Sequence, residues 1–168
     1  MLDPGKKAPA FTLADQSDTK HALKDYAGRP LVLFFYPKDG TSGCTTEACD
    51  FRDLLPEFEE MDAAVLGISI LDTKSKAKFA KKHDLSYPLL ADDRIDADER
   101  PDPEVAQKYG VWVEKSMYGK TYMGIERTTF LIDAAGKIAQ VWSKVKVPGH
   151  AEAVRDAVAE LASAESRG

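Results

Sequence analysis

A chain of 168 residues, 43% apolar and 30% charged, is long enough for one buried core and short for two. Its formal charge of −5 argues against nucleic acid as a partner, because that recognition needs a basic face. No apolar stretch follows the charges of MLDPGKKAPAF, and no run nears the ~18 apolar residues of a membrane span, so neither a secretory leader nor a membrane segment is expected. The expected setting is reducing cytosol, where the two cysteines, Cys44 and Cys49, are inert core residues, a redox pair or half of a metal site.

In chain order, Phe11-Thr12-Leu13 reads as a short edge strand. Leu31 to Tyr36, a continuous apolar run between Pro30 and Pro37, reads as a strand buried on both faces. The turn formers Asp39 to Gly43 make a loop. After it Ala48, Phe51, Leu54, Leu55 and Phe58 fall at helical spacing, with Pro56 expected to kink or restart the helix. Ala63 to Ile70 reads as a second buried strand. Asp72 or Thr73 then caps a helix that runs to His83, with the lysines between Lys74 and Lys82 on a solvated face. Tyr87 to Leu90 marks a further strand entry. Between 92 and 104 the chain carries seven acids and two arginines and reads as a surface excursion, leading to a short helix from Glu104 to Tyr109. Thr128 to Asp133 and Ile138 to Val145 flank the turn Ala134 to Lys137 as an antiparallel hairpin. Ala151, Val154, Val158 and Leu161 form the apolar stripe of a last helix. The sum is a single α/β domain, residues 1–168, with a mixed central sheet flanked by helices on both faces.

Cys44 follows the loop and falls in the first turn of the helix after it, where unpaired N–H groups and the positive dipole end favour an anion. Functional groups of open α/β sheets cluster at such carboxyl ends of strands. Cys49 lies five residues further on. In a regular helix that spacing gives ~140° of rotation and ~7.5 Å of rise, hence ~8.6 Å between Cα atoms. A disulfide tolerates at most ~7 Å, so a bond between the two would require the helix to unwind locally. As metal ligands the cysteines lack company, since His21, His83 and His150 are far apart and none stands at zinc-finger spacing. His83, at a predicted helix carboxyl end, is accounted for by the dipole there.

The stretch Pro37 to Cys44 (PKDGTSGC) resembles the peroxiredoxin active-site pattern Pro-x-x-x-Thr/Ser-x-x-Cys. Its continuation Thr45 to Arg52 (TTEACDFR) is similar to the Q-type, or bacterioferritin comigratory, subfamily. Ala8 to Leu13, Tyr109 to Trp112 and Met123 to Asp133 (MGIERTTFLID) match in the same order, so that the resemblance spans residues 5–162. It implies a thioredoxin-like fold with N-terminal additions and a thiol peroxidase acting on hydrogen peroxide and organic hydroperoxides, with no cofactor and no metal. By that resemblance Cys44 is the peroxidatic cysteine, forming a sulfenic acid, and Cys49 the resolving cysteine that closes an intramolecular disulfide. Thr41 is expected to bond the thiolate and peroxide, Arg127 to complete the anionic pocket, Pro37 to shield it, and Glu47 to orient Thr41 or an arginine. A thioredoxin-type partner is the implied reductant. An internal resolving cysteine removes any chemical need for a dimer, so a monomer is expected.

Two departures from the family pattern stand out: Ser42 replaces a common proline, and the acidic stretch from Ile95 to Asp102 is longer than usual. A general dithiol–disulfide oxidoreductase of thioredoxin type is the alternative, and the absence of a CxxC motif argues against it. A binding module with two bland core thiols would leave the matches at Thr41 and Arg127 without an explanation.

Overall fold

The apolar run after Pro30 forms the centre of the molecule. The computed structural model describes residues 2–167. Strands β1 (Thr12–Ala14) and β2 (Lys20–Ala22) precede β3 (Leu31–Phe35), α1 (Ser42–Glu60), β4 (Ala64–Ser69), α2 (Thr73–His83), β5 (Leu89–Ala91) and α3 (Glu104–Lys108). The chain continues through β6 (Trp112–Met117), β7 (Lys120–Ile125), β8 (Thr128–Ile132) and β9 (Ile138–Trp142) to α4 (His150–Arg167). The main sheet has the order β5-β4-β3-β8-β9, with β3, β4 and β5 parallel and β8 and β9 antiparallel. It is the mixed, thioredoxin-like sheet that the sequence resemblance implies.

Side chains alternate across β3. Val32, Phe34 and Tyr36 face a core built with α1, α2 and α4, while Leu31, Leu33 and Phe35 face one built with α3 and the N-terminal segment. Burial on both faces explains why the run shows no polar alternation. Packing is close enough that Gly67, opposite Phe34 in the register, has no room for a side chain: a Cβ there would lie 2.8 Å from Phe34 Cζ. Gln16 closes the outer strand β5, its amide donating to Tyr87 O at 2.9 Å and accepting from Leu89 N at 2.8 Å.

Several expectations need correction. The short edge strand expected at Phe11 to Leu13 is present one residue later, as Thr12–Ala14, and its partner is β2 in a separate two-stranded ribbon. Pro56 lies inside α1 on its exposed side, and the helix does not restart there. Of the two cap candidates read from the sequence, Asp72 caps α2, as expected, accepting from Ser75 N at 2.9 Å. Strand β9 ends at Trp142, because Val145 N turns to the carbonyl of Arg127 at 3.0 Å. Residues 93–101 are all exposed as expected, including Ile95 and Pro101, which form an isolated bridge. Asp92, however, is buried, and its carboxylate accepts from Val105 N and Ala106 N, capping α3 from a distance in sequence. The β6–β7 ribbon was not foreseen at all.

Candidate active site

Register brings the site together. Phe35 at the end of β3 pairs with Thr128 at the start of β8, so the loop leaving β3 and the residue entering β8, Arg127, emerge side by side at the carboxyl end of the central strand β3. The Arg127 backbone is fixed by the Val145 bond, and its neighbour Glu126 N donates to Val111 O at 2.8 Å. Across the gap, Thr41 is the N-cap residue of α1 and Cys44 stands in its first turn, 1% exposed.

The Arg127 guanidinium divides its donors between two side chains. Nη2 lies 3.4 Å from Cys44 Sγ, and Nη1 donates to Glu47 Oε1 at 2.7 Å. Gly43 makes the approach possible, since a Cβ at that position would meet Arg127 Nη2 at 3.3 Å. Glu47, 1% exposed, is raised to a pKa of about 7 by burial, against the pull of Arg127. Its second oxygen, Oε2, has no partner among the described residues. Of the two orientations open to Glu47, the structure therefore has it hold the arginine.

Thr41 is placed differently from expectation. Its hydroxyl donates to Lys38 O at 3.0 Å and, among the described residues, makes no bond to Cys44. A hydroxyl has one proton to give, and here the loop carbonyl takes it, leaving the oxygen lone pairs as acceptors. Pro37 is half-buried beside the same loop. Cys49 is a free thiol in the middle of α1, partly buried, and burial pushes its pKa up. Both cysteines lie within one continuous helix, so the geometric separation worked out above applies to them. Among the described residues no cluster of three or more His, Cys, Asp and Glu side chains is disposed to hold a metal.

Three groups around the site were not anticipated. Lys76 belongs to the lysine run read as a solvated face, yet its side chain is 0% exposed and pairs with Asp39, Nζ to Oδ2 at 3.2 Å. A signal existed: Lys76 occupies the stripe continued by Phe79, Ala80 and His83, one face of the helix. Lys115 on β6 is half-buried with its stem over Gly124, where a Cβ would come 3.2 Å from its Cδ. Burial, then Arg127, lower its pKa, while Cys44 and Glu126 act the other way, so its ammonium senses the site's charges. His150 begins α4 and bonds Thr129 Oγ1 through Nε2 at 2.8 Å; burial and Arg127 push its pKa down to about 4.

These features, a thiol at a helix start beyond the end of a central strand and under a carboxylate-held arginine, coincide with a family match. A profile of the AhpC/TSA family matches residues 4–141, and the chain belongs to that family. Relatives within it include Bcp peroxiredoxins and solved peroxiredoxin Q structures. Peroxiredoxin Bcp of Bacillus subtilis is 45% identical over 155 residues, covering 92% of this chain and 94% of its own. Peroxiredoxin Bcp of Escherichia coli is 41% identical over 153 residues, covering 91% and 93%. The solved Xanthomonas campestris bacterioferritin comigratory protein, studied for alkyl peroxide reduction, superposes with a TM-score of 0.83 at 41% identity, over 95% of this chain and 99% of that one. No helix among the described residues is long and apolar enough to cross a membrane.

Proposed function

We propose that this chain reduces peroxides with Cys44 as nucleophile and Cys49 as the resolving thiol. The Cys44 thiolate attacks one peroxide oxygen, the O–O bond breaks, and the departing alkoxide or hydroxide takes up a proton. The product is a sulfenic acid on Cys44. Cys49 then attacks that sulfur, water leaves with the sulfenic oxygen, and a Cys44–Cys49 disulfide remains. Two thiols and one peroxide thus give a disulfide, water and an alcohol or second water. A dithiol partner of thioredoxin type restores the thiols, in a monomer working in reducing cytosol.

The observation that carries this reading is the Arg127 fork, one nitrogen 3.4 Å from Cys44 Sγ and the other on Glu47. A thiol made more acidic accelerates little by that alone. Lowering a thiol pKa from ~8.5 to ~6 raises the thiolate fraction at neutral pH about thirtyfold. The weaker nucleophile returns about tenfold of this, leaving about threefold. The rest must come from donors placed where negative charge develops on the leaving oxygen, each worth ~3–4 kcal/mol when well aimed. Arg127 supplies such a donor, and the Thr41 oxygen, its proton committed to Lys38, can accept from the hydroperoxide O–H.

The deciding experiment adds one equivalent of hydrogen peroxide to the reduced protein. Both thiols should disappear in the wild type without dimerisation, and Cys49→Ser should accumulate a sulfenic acid that a dimedone-type reagent traps. A Cys44 that reacts no faster than a free thiol would rule the proposal out.

A further inference from the structure

Disulfide formation in this reaction requires α1 to open, and two buried polar anchors bracket the part that must move. Upstream, Asp39 is gripped by four side chains: Tyr36 Oη, Ser75 Oγ at 2.8 Å, Lys76 Nζ at 3.2 Å and Ser69 Oγ at 3.4 Å. Lys76 Nζ also donates to Ser69 Oγ at 2.6 Å, so the ammonium ties β4 and the loop to α2. The next residue, Gly40, has φ +84°, a region glycine enters without steric cost and a natural pivot. Downstream, Tyr87 Oη donates to the carbonyl of Ala48 at 2.7 Å, in a fully buried bond. By helical geometry that carbonyl also serves Arg52 N–H, and it would be the N-cap carbonyl of a helix shortened to start at Cys49. Tyr87 is itself held by Gln16, and Phe51, 0% exposed, stacks on Phe34 at 4.6 Å.

We infer that Tyr87 and the Asp39–Lys76 cluster are positioning residues for disulfide formation, clamping the two ends of segment 40–48 so that unwinding frees Cys44 and stops short of Cys49. This inference rests on the roles proposed above for Cys44 and Cys49. The upstream clamp keeps the loop of Pro37 in place while Cys44 leaves its pocket. The downstream clamp keeps Cys49 seated on intact helix, a fixed target for the incoming sulfenic sulfur. Without the downstream clamp, opening runs past Cys49 and the two sulfurs meet less often.

Tyr87→Phe removes only the hydroxyl and keeps the ring's edge contact with Phe34, centroids 5.9 Å apart. Single-turnover kinetics should show an unchanged second-order reaction of Cys44 with hydrogen peroxide and a disulfide-forming step slowed about fivefold, the effect of one hydrogen bond. Hydrogen exchange read by mass spectrometry should confine fast local opening to residues 40–48 in the wild type and extend it beyond Cys49 in Tyr87→Phe. Lys76→Met should extend it the other way, into 37–39. Ser75→Ala, which removes one bond to Asp39 and keeps the backbone cap of α2, gives the milder form of the same shift where Lys76→Met does not fold. Wild-type disulfide formation with an unmoved exchange boundary in Tyr87→Phe and Ser75→Ala would overturn the inference. A wild-type protein that forms no Cys44–Cys49 bond with one equivalent of peroxide would instead refute the proposed reaction, and the inference with it.

Discussion

Arg127→Lys keeps the charge and removes the fork, which makes it the sharpest test of the site. Arginine reaches two partners at once, Glu47 Oε1 at 2.7 Å and Cys44 Sγ at 3.4 Å. Lysine has one nitrogen, and the strong charge-assisted bond to a carboxylate 1% exposed will win it. The thiol and the developing charge on the departing oxygen then lose their donor. One well-placed donor is worth about 3 kcal/mol in the transition state, so the second-order rate constant should fall roughly a hundredfold. Quench-flow mixing with hydrogen peroxide, followed by alkylation and mass analysis of Cys44, measures that constant directly. Stability serves as the control: Lys still neutralises Glu47, so Arg127→Lys should unfold close to the wild type, whereas Arg127→Met leaves the carboxyl unpaired and should not. A rate constant within threefold of wild type in Arg127→Lys would refute the reasoning.

Glu47 and His150 make opposite contributions to stability over one pH window. The folded pKa of Glu47 is raised from 4.5 to about 7, so its contribution falls as pH rises between those values; that of His150 is lowered from 6.5 to about 4, so its contribution rises over its own range. Each is on the order of 3 kcal/mol, and they nearly cancel. Urea denaturation across pH 4 to 7 should therefore be nearly flat for these groups in wild type, rising with pH in Glu47→Gln and falling in His150→Gln. Gly67→Ala should cost about 1–3 kcal/mol in the same assay, because its methyl would sit 2.8 Å from Phe34 Cζ in a packed core.

What could be read from the residues was what lies close in sequence. Pro37, Thr41 and Cys44 share one loop-to-helix turn, and the strand Leu31 to Tyr36 announces itself by composition. Arg127 was reached only through resemblance, since it lies 83 residues from Cys44 and the β3–β8 register alone brings them together. The Asp39–Lys76 pair, 37 residues apart, failed for the same reason, compounded by four exposed lysines that surround Lys76 in sequence. Asp39 reads as a turn former, and nothing local shows that its carboxylate is buried. The β6–β7 ribbon was missed because its turn uses Tyr118, at φ +51°, before Gly119, a residue rarely found in that region. Its side chains Met117, Tyr122 and Met123 are exposed, so apolar alternation does not mark a buried face.

The start of α1 has little helicity of its own. Ser42, Gly43, Cys44, Thr45 and Thr46 all rank low in helix propensity, together roughly 3 kcal/mol less helical than five alanines. Tertiary bonds hold this turn, chiefly Arg127 on Cys44 and Glu47, and oxidation of the sulfur alters one of those partners. Thr46 is exposed and its hydroxyl bonds back to Ser42 O at 3.0 Å, a bond within the helix, so substitutions there change helix stability and leave the pocket alone. Alanine and glycine differ by about 1 kcal/mol in a helix, or about fivefold in the opening equilibrium. Disulfide formation after the peroxide step should accordingly run fastest in Thr46→Gly, slower in wild type and slowest in Thr46→Ala, with an unchanged rate of peroxide attack in all three. A sulfenic acid that waits longer meets a second peroxide more often, so sulfinic acid should accumulate in the reverse order. Stopped-flow rates and the mass of oxidised Cys44 give both orders from one set of samples. Equal disulfide rates across the three would break the link between the five-residue spacing and helix opening.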